Sequence, residues 1–227
     1  MIIITGASRG IGKYLFHKYF KQGKEVYGTY NKNKPDIEGG KYLSKVDITD
    51  YQQVSEWADN IGSKMEKAVL INCVGVNYTS FAHKANLESW VHVVNVNLIG
   101  TFNVIHTILP FMREEGYGRI INCSSVVSQM PVPGTSAYAC SKSGLLGLCK
   151  SIAVENARKD ITINNLNLGY FNIGMIKEVP KEYQKILKQK IPTGQFGNPI
   201  NIYNAVKFLV KNDYINGASI DINGCVL

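Results

Sequence analysis

The first apolar run of the chain, Ile2 to Ile4, passes directly into Thr5-Gly6-Ala7-Ser8-Arg9-Gly10-Ile11-Gly12, and a helical pattern begins at once. A strand that turns into a helix through three glycines is tightly constrained. Glycine lets the backbone reverse sharply, approach a ligand closely, and bring helix and sheet together with no Cβ between them. The N–H groups and positive dipole end of such a helix then favour a phosphate above the turn. Downstream, Ile11, Leu15, Phe16 and Tyr19 fall on one helical face and Lys13, Lys18 and Lys21 on the other, until Gly23 stops the helix. This junction predicts a βαβ unit with a dinucleotide pyrophosphate over Gly6, Ser8, Arg9, Gly10, Ile11 and Gly12; a purely structural turn is the alternative.

The same alternation continues along all 227 residues. Strand-length apolar runs near residues 1–5, 25–30, 41–46, 67–73, 118–124, 161–167 and 218–222 are separated by helical patterns. One helix is expected over Leu87 to Met112, bent or ended by Pro110, and another over Ser136 to Ala157. Together they predict an α/β fold: a Rossmann-like, doubly wound parallel sheet of about seven strands with helices on both faces. No Pro/Gly/Ser-rich linker or repeat divides residues 1–227, so one domain is expected. With 45% apolar residues the chain is no disordered or collagenous sequence. Its apolar runs fall short of the roughly 20 residues of a membrane span. The start lacks a secretory signal, and a cytoplasmic location is expected.

Five scattered cysteines (Cys73, Cys123, Cys140, Cys149, Cys225) lack zinc spacing. They predict reduced thiols filling core space and no metal site. The net charge of +8 is spread among acids rather than gathered into a basic run, which argues against nucleic acid. Residues 169–199 are irregular. There Val179, Tyr183, Ile186 and Leu187 recur at helical spacing, and Lys177, Lys181, Lys185, Lys188 and Lys190 outnumber Glu178 and Glu182. The segment reads equally as a solvated surface helix or as a lid over the carboxyl ends of the strands.

A second constellation is Ser125, Tyr138 and Lys142. Tyr138 and Lys142 lie one helical turn apart and share a face. A phenol with a pKa of about 10 is a sluggish acid and base near neutrality, and an adjacent ammonium favours its phenolate. The Thr-Gly-x-x-x-Gly-x-Gly turn, Asp47-Ile48 after the third strand, and Asn72-Cys73-Val74-Gly75 ending the fourth add to this pattern. With the serine thirteen residues before the Tyr-x-x-x-Lys pair, the chain resembles the short-chain dehydrogenase/reductase family. The matches run to Asn216-Gly217 and Asp221-Ile222-Asn223-Gly224 near the end.

The resemblance implies roles. Tyr138 is the general acid for carbonyl reduction. Lys142 tunes it and bonds the nicotinamide ribose. Ser125 polarises the carbonyl, with Ser124 as a possible helper, and Asn97 holds a relay water, with Asn95 as the competitor. Asp47 and Ile48 meet the adenine, Asn72 and Gly75 border the cofactor, and Gly169 and Ile173 meet the nicotinamide carboxamide. The family's Pro and Thr after the sixth strand are Leu168 and Ile173 here, and Asn172 is a candidate substitute for the missing hydroxyl.

The second strand ends Val26-Tyr27-Gly28-Thr29-Tyr30-Asn31-Lys32, with no acid to accept from a ribose 2′-hydroxyl. Arg9 and Lys32, with Asn31, instead suit a 2′-phosphate. NADPH is therefore favoured over NADH, the alternative being that these are ordinary surface charges. The general resemblance is to 3-oxoacyl-carrier-protein reductases, implying a small-molecule carbonyl substrate, free or carrier-bound. Arg113, Arg158, Lys159 and the lid lysines are a candidate docking patch, or scattered solvated charge. The resemblance also implies a homo-oligomer, dimer or tetramer, paired through residues 87–112 and 136–157. The rival readings are an NAD-dependent alcohol dehydrogenase and a non-catalytic NADP-sensing or scaffold protein.

Overall fold

The computed structural model describes residues 1–130 and 132–226. Strand β1 (Ile2–Thr5) leads through the glycine turn into helix α1 (Gly10–Phe20) and back to β2 (Val26–Tyr30). β3 (Leu43–Lys45), α2 (Tyr51–Gly62) and β4 (Val69–Asn72) follow. Next come α3 (Leu87–Val94), a π-helical turn (Asn95–Ile99), α4 (Gly100–Glu115) and β5 (Gly118–Ser125). The chain continues with α5 (Ser136–Asn156), β6 (Ile161–Leu168), α6 (Lys181–Lys190), α7 (Pro199–Lys211) and β7 (Ser219–Ile222). The seven strands form one parallel sheet in the order β3-β2-β1-β4-β5-β6-β7. The order reverses between β1 and β4, and in such sheets the crevice at the carboxyl ends beside the reversal is where ligands bind.

Two apolar cores cover the faces. On one, α2, α4 and α5 place Val54, Trp57, Ile61, Val104, Ile108, Met112 and Ile152 against Ile3, Leu70, Ile120 and Ile163. On the other, α1 and α7 place Leu15, Phe16, Tyr19, Ile202, Tyr203 and Val206 against Ile4, Ile71, Ile121 and Leu166. Side-chain caps start several helices: Asp50 accepts from Gln53 N–H, Asn86 from Ser89 N–H and Asn198 from Ile200 N–H. Arg9, at the N-cap of α1, makes no such bond.

Pro110 does not end its helix. It is exposed within α4, which runs on until Gly116 adopts the left-handed conformation, φ +68°, and stops it. The continuous helical stretch Leu87–Glu115 is long and apolar enough to cross a membrane by length and composition. Half of its most apolar window is buried inside the molecule, as a core helix is.

The strongest polar feature of the sheet is a row of side chains perpendicular to the strands. Thr5, Asn72, Asn122, Asn165 and Ser219 stand opposite one another on β1, β4, β5, β6 and β7. Thr5 Oγ1 donates to Asn72 Oδ1 at 3.3 Å, and Asn72 Nδ2 donates to Asn122 Oδ1 at 2.9 Å. Asn122 Nδ2 then donates to Asn165 Oδ1 at 3.1 Å, and Asn165 Nδ2 to Ser219 Oγ at 3.2 Å. The three asparagines are nearly inaccessible to solvent, and each amide is satisfied by its neighbour.

Candidate active site

The glycine turn closes so tightly that side chains are excluded. A Cβ on Gly12 would lie 2.3 Å from the Gly6 carbonyl oxygen. Gly6, at φ +70°, abuts Val74 of the loop after β4, where an added Cβ would come within 3.1 Å. With no capping side chain at Arg9, the first-turn N–H groups of α1 are left for a ligand, which is what a pyrophosphate cradle requires. Ser8 and Ile11 are half-buried beside it.

Arg9 itself is occupied. Its Nη1 lies 3.2 Å from Glu178 Oε1, in the 3₁₀ turn Gly174–Glu178 that follows β6, and both side chains are about two-thirds exposed. The two segments touch through glycine: a Cβ on Gly10 would sit 3.2 Å from Gly174 Cα. Asn31 is also engaged, donating from Nδ2 to Asp47 Oδ2 at 3.0 Å, while Lys32 is exposed. Burial pushes the Asp47 carboxyl up, but hydrogen bonds from Thr49 and Asn31, with His92 nearby, hold it below its ordinary value. Ile48 is buried against Gly100, and its carbonyl accepts from Asn103 Nδ2 at 3.0 Å.

The carboxyl end of β5 and the first turns of α5 bring Ser125, Tyr138 and Lys142 together. Lys142, 4% exposed, donates from Nζ to the Cys123 carbonyl at 2.8 Å and lies 5.8 Å from the centre of the Tyr138 ring. Burial lowers its pKa to about 8. Tyr138 is pushed up to about 12 by burial, against the pull of its hydrogen bond with Ser125. Burial sets the direction for the protein alone; the expected lowering depends on the nicotinamide's positive charge beside Lys142. Of the two serines, Ser125 faces the phenol, whereas Ser124 Oγ donates to the Lys142 carbonyl at 3.4 Å inside the structure.

Asn97 is fully buried in the π-helical turn. Its Oδ1 accepts from Val76 N–H at 2.8 Å, and its Nδ2 donates to the Val76 carbonyl at 2.9 Å and to Ser141 Oγ at 3.1 Å. Ser141 in turn donates to the Tyr138 carbonyl at 2.8 Å. A Cβ on Gly75 would lie 3.7 Å from Lys142 Nζ and 3.8 Å from Asn97 Oδ1, so all three converge. The sequence reading missed Ser141, although it shares the buried face of α5 with Tyr138, Lys142 and Leu145 at helical spacing.

After β6, Gly169 is fixed by contact with the chain's end: an added Cβ would meet Asn223 Cα at 2.7 Å. Leu168 extends the strand pairing opposite Ser125 and Ile222. The Ile173 N–H is already used, donating to the Phe171 carbonyl at 2.7 Å. Asn172 is exposed and accepts from Lys177 Nζ at 2.7 Å rather than turning inward. On α6 only Leu187 is buried, and Tyr183 and Ile186 are about half exposed.

Of the two readings of the basic residues, the structure fits scattered charge for Arg113, Arg158 and Lys159. Arg113 donates to Asn156 between α4 and α5, and Arg158 and Lys159 precede β6, at the amino edge of the sheet opposite Ser125 and Tyr138. Lys185 pairs with Glu182 at 3.1 Å, and Lys188 lies over Phe196. The cysteines also differ from expectation. Cys123 and Cys149 are buried and Cys73 is half-buried, but Cys140 and Cys225 are exposed. Among the described residues no group of three His, Cys, Asp or Glu side chains gathers to hold a metal ion.

Comparison with known proteins gives a consistent picture. The family model for short chain dehydrogenases matches residues 1–184. An acetoacetyl-CoA reductase of Rhizobium meliloti is 33% identical, over 98% of this chain and 96% of that protein. A 3-oxoacyl-[acyl-carrier-protein] reductase of Thermotoga maritima is 32% identical, over 98% of this chain and 95% of that protein. The ligand-free structure of Thermoplasma acidophilum aldohexose dehydrogenase superposes with a TM-score of 0.91 over 99% of this chain and 92% of that one; at 24% identity it speaks for the fold alone.

Proposed function

This chain belongs to the short-chain dehydrogenase/reductase family, and from that premise we propose that it uses NADPH to reduce a ketone to a secondary alcohol. The ketone is a 3-oxoacyl thioester or another small carbonyl. The observation that carries the reading is the meeting of Ser125, Tyr138 and Lys142 at the carboxyl end of β5. A protonated phenol is the form that a general acid needs for reduction.

The cradle of Gly6, Ser8, Gly10, Ile11 and Gly12 holds the pyrophosphate, and Arg9, Asn31 and Lys32 meet the 2′-phosphate. Asp47 and Ile48 border the adenine, Asn72 and Gly75 line the floor, and Gly169 and Ile173 flank the nicotinamide end. When bound, NADPH supplies the hydride. Ser125 donates a hydrogen bond to the substrate carbonyl, and Tyr138 gives its proton to that oxygen. The Lys142 ammonium, also a donor to the nicotinamide ribose, stabilises the resulting phenolate. Asn97, with Ser141 behind it, fixes the loop at Val76 and the carbonyl end of Tyr138.

Residues 169–199 act as the lid and carry substrate selection. The half-exposed apolar side chains of Met175, Tyr183 and Ile186 support an apolar or acyl substrate. Relatives that act on acetoacetyl-CoA and 3-oxoacyl-carrier-protein thioesters support the same class. The enzyme works in the cytoplasm as a homo-oligomer. Exposed Ile99 and Phe102 in the 87–115 helix, and Val154 on α5, support pairing through these helices.

One observation favours a second reading with NADH, the pairing of Arg9 with Glu178, since a 2′-phosphate must displace that carboxylate. The test is a panel of 3-oxoacyl thioesters and simple ketones with each cofactor, run beside Tyr138→Phe. Turnover by the wild-type protein should prefer NADPH. The variant should lose about 10²–10⁴-fold in kcat while still binding NADPH. Unchanged turnover would sink the mechanism, and a preference for NADH would transfer the reading to an NAD-dependent enzyme.

A further inference from the structure

Cys73 and Cys123 lie side by side at the carboxyl edge of the sheet. The β4–β5 register pairs Asn72 with Asn122, so the next residue on each chain segment, Cys73 and Cys123, face one another with Sγ atoms 3.6 Å apart. Neighbouring strands are spaced about 4.8 Å apart, within the Cα separation of about 4.4–6.8 Å that a disulfide spans. Side-chain rotation then reaches an S–S bond of about 2.05 Å without parting the strands.

We propose that this dithiol is an oxidation site at which a peroxide forms a Cys73–Cys123 disulfide, and that the disulfide reversibly weakens dinucleotide binding and turnover. Both residues are built into the floor of the site. The Cys73 N–H donates to Thr5 Oγ1 at 3.2 Å, immediately before the glycine turn, and Val74 packs on Gly6. The Cys123 carbonyl is the acceptor for Lys142. Locking the sulfurs together therefore constrains the support of the turn and the lysine's anchor at once.

The chemistry balances with hydrogen peroxide alone. The Cys123 thiolate attacks one peroxide oxygen, an S–O bond forms, the O–O bond breaks, and hydroxide leaves to become water. Cys73 then attacks the sulfenic sulfur, an S–S bond forms, the S–O bond breaks, and a second water leaves. Two thiols have lost two electrons and two protons, and the peroxide has become two waters. The hydrogen bond between the two sulfurs, in which either can donate, and Lys142 beside them favour a thiolate within the pair, and the same two steps follow with the roles of the two cysteines exchanged. Burial of Cys123 favours a small neutral oxidant over a bulky one.

The effects on turnover and on NADPH affinity rest on the reductase reading; the cross-link does not. The test uses the full chain carrying Cys140→Ser and Cys225→Ser, so that the exposed thiols are silent, with and without Cys73→Ser. After hydrogen peroxide, non-reducing peptide mass mapping should find residue 73 joined to residue 123 with a loss of two hydrogens, and free thiols should fall from three to one. NADPH affinity by fluorescence titration should drop at least about tenfold and return with dithiothreitol, and bound NADP+ should slow the cross-link. Adding Cys73→Ser should abolish both the cross-link and the dithiothreitol-reversible loss. Absence of the cross-link at saturating peroxide overturns the proposal. So does a mapped cross-link with unchanged dinucleotide affinity, or a reversible loss that persists without Cys73.

Discussion

Replacing Lys142 with methionine removes an ammonium from a position that is 4% exposed while keeping most of the side chain's volume. Burial lowers the lysine from 10.5 to about 8 in the folded protein. Between those values the unfolded chain binds more protons than the folded one, so this group makes stability rise with pH. The penalty for burying the charge is fully present below pH 8 and is relieved as pH approaches 10.5. The two values give about 3 kcal/mol at pH 7 and about 1 kcal/mol at pH 10. Methionine escapes that cost but leaves the Cys123 carbonyl without its donor, a loss of about 1–3 kcal/mol that does not depend on pH. At pH 7 the terms nearly cancel, and the variant should be as stable as the wild type or slightly more so. At pH 10 it should have lost about 2 kcal/mol relative to the wild type. Cys149, pushed up to about 12 by burial, destabilises each protein alike at high pH and drops out of the difference. Urea unfolding at pH 7, 8, 9 and 10, followed by Trp57 and Trp90 fluorescence, measures the gap. A gap constant to within about 0.5 kcal/mol would falsify the lowered lysine. Ketone reduction should be lost in the variant at every pH.

Arg9→Ala should weaken NADPH by about tenfold, the worth of a charge-assisted phosphate contact, and leave NADH unchanged; equal effects on both would remove Arg9 from the 2′-phosphate. Glu178→Gln should act oppositely. It frees Arg9 from an exposed pair worth about 0–1 kcal/mol, so fluorescence titration should show NADPH binding up to about fivefold tighter. Gly12→Ala places a methyl group 2.3 Å from the Gly6 carbonyl oxygen, and should abolish NADPH binding and lower Tm. A normal affinity would mean that the turn relaxes more than its packing allows.

The strands were legible because each is a compact apolar run between turn residues, and the observed ends fall close to the expected ones. The glycine turn was legible because closing it leaves no room for a Cβ at Gly12 or Gly6. Other features depend on partners far along the chain. The pairing of Arg9 with Glu178 bridges 169 positions and is invisible to local pattern. The π-helical turn at Asn95–Ile99 lasts only about one turn, too short for its altered side-chain period to stand out in the pattern, so the helix around Asn97 read as ordinary. Pro110 misled because its ring lies on the exposed side of α4, where the lost hydrogen bond faces water. The burial of the Tyr138 phenol was not legible because its neighbour's charge is a sequence property and its desolvation is not. β6, Ile-Thr-Ile-Asn-Asn-Leu-Asn-Leu, is buried throughout, and nothing in its composition says where four asparagine and threonine side chains find partners.

The row from Thr5 to Ser219 bears on how this sheet is assembled correctly. Runs such as Ile2 to Ile4, Val69 to Ile71 and Ile120 to Ile121 are nearly interchangeable to the hydrophobic effect, and a slip of two residues keeps every side chain on its own face. In one direction such a slip sets Asn72 against Ile120 and Asn122 against Ile163; in the other it sets Asn72 against Ser124 and breaks the run of amides. Each stranded donor or acceptor then costs about 1–3 kcal/mol, and the fault is repeated at every strand crossed. The amides therefore work as an alignment key: apolar residues draw the strands together, and the asparagines disfavour the slips that would set them against isoleucine. Because each amide donates in the same direction across the sheet, reversing one would demand that its neighbours reverse too. The key is cut in one orientation only, and it is turned home where the β1 strand delivers the glycine loop.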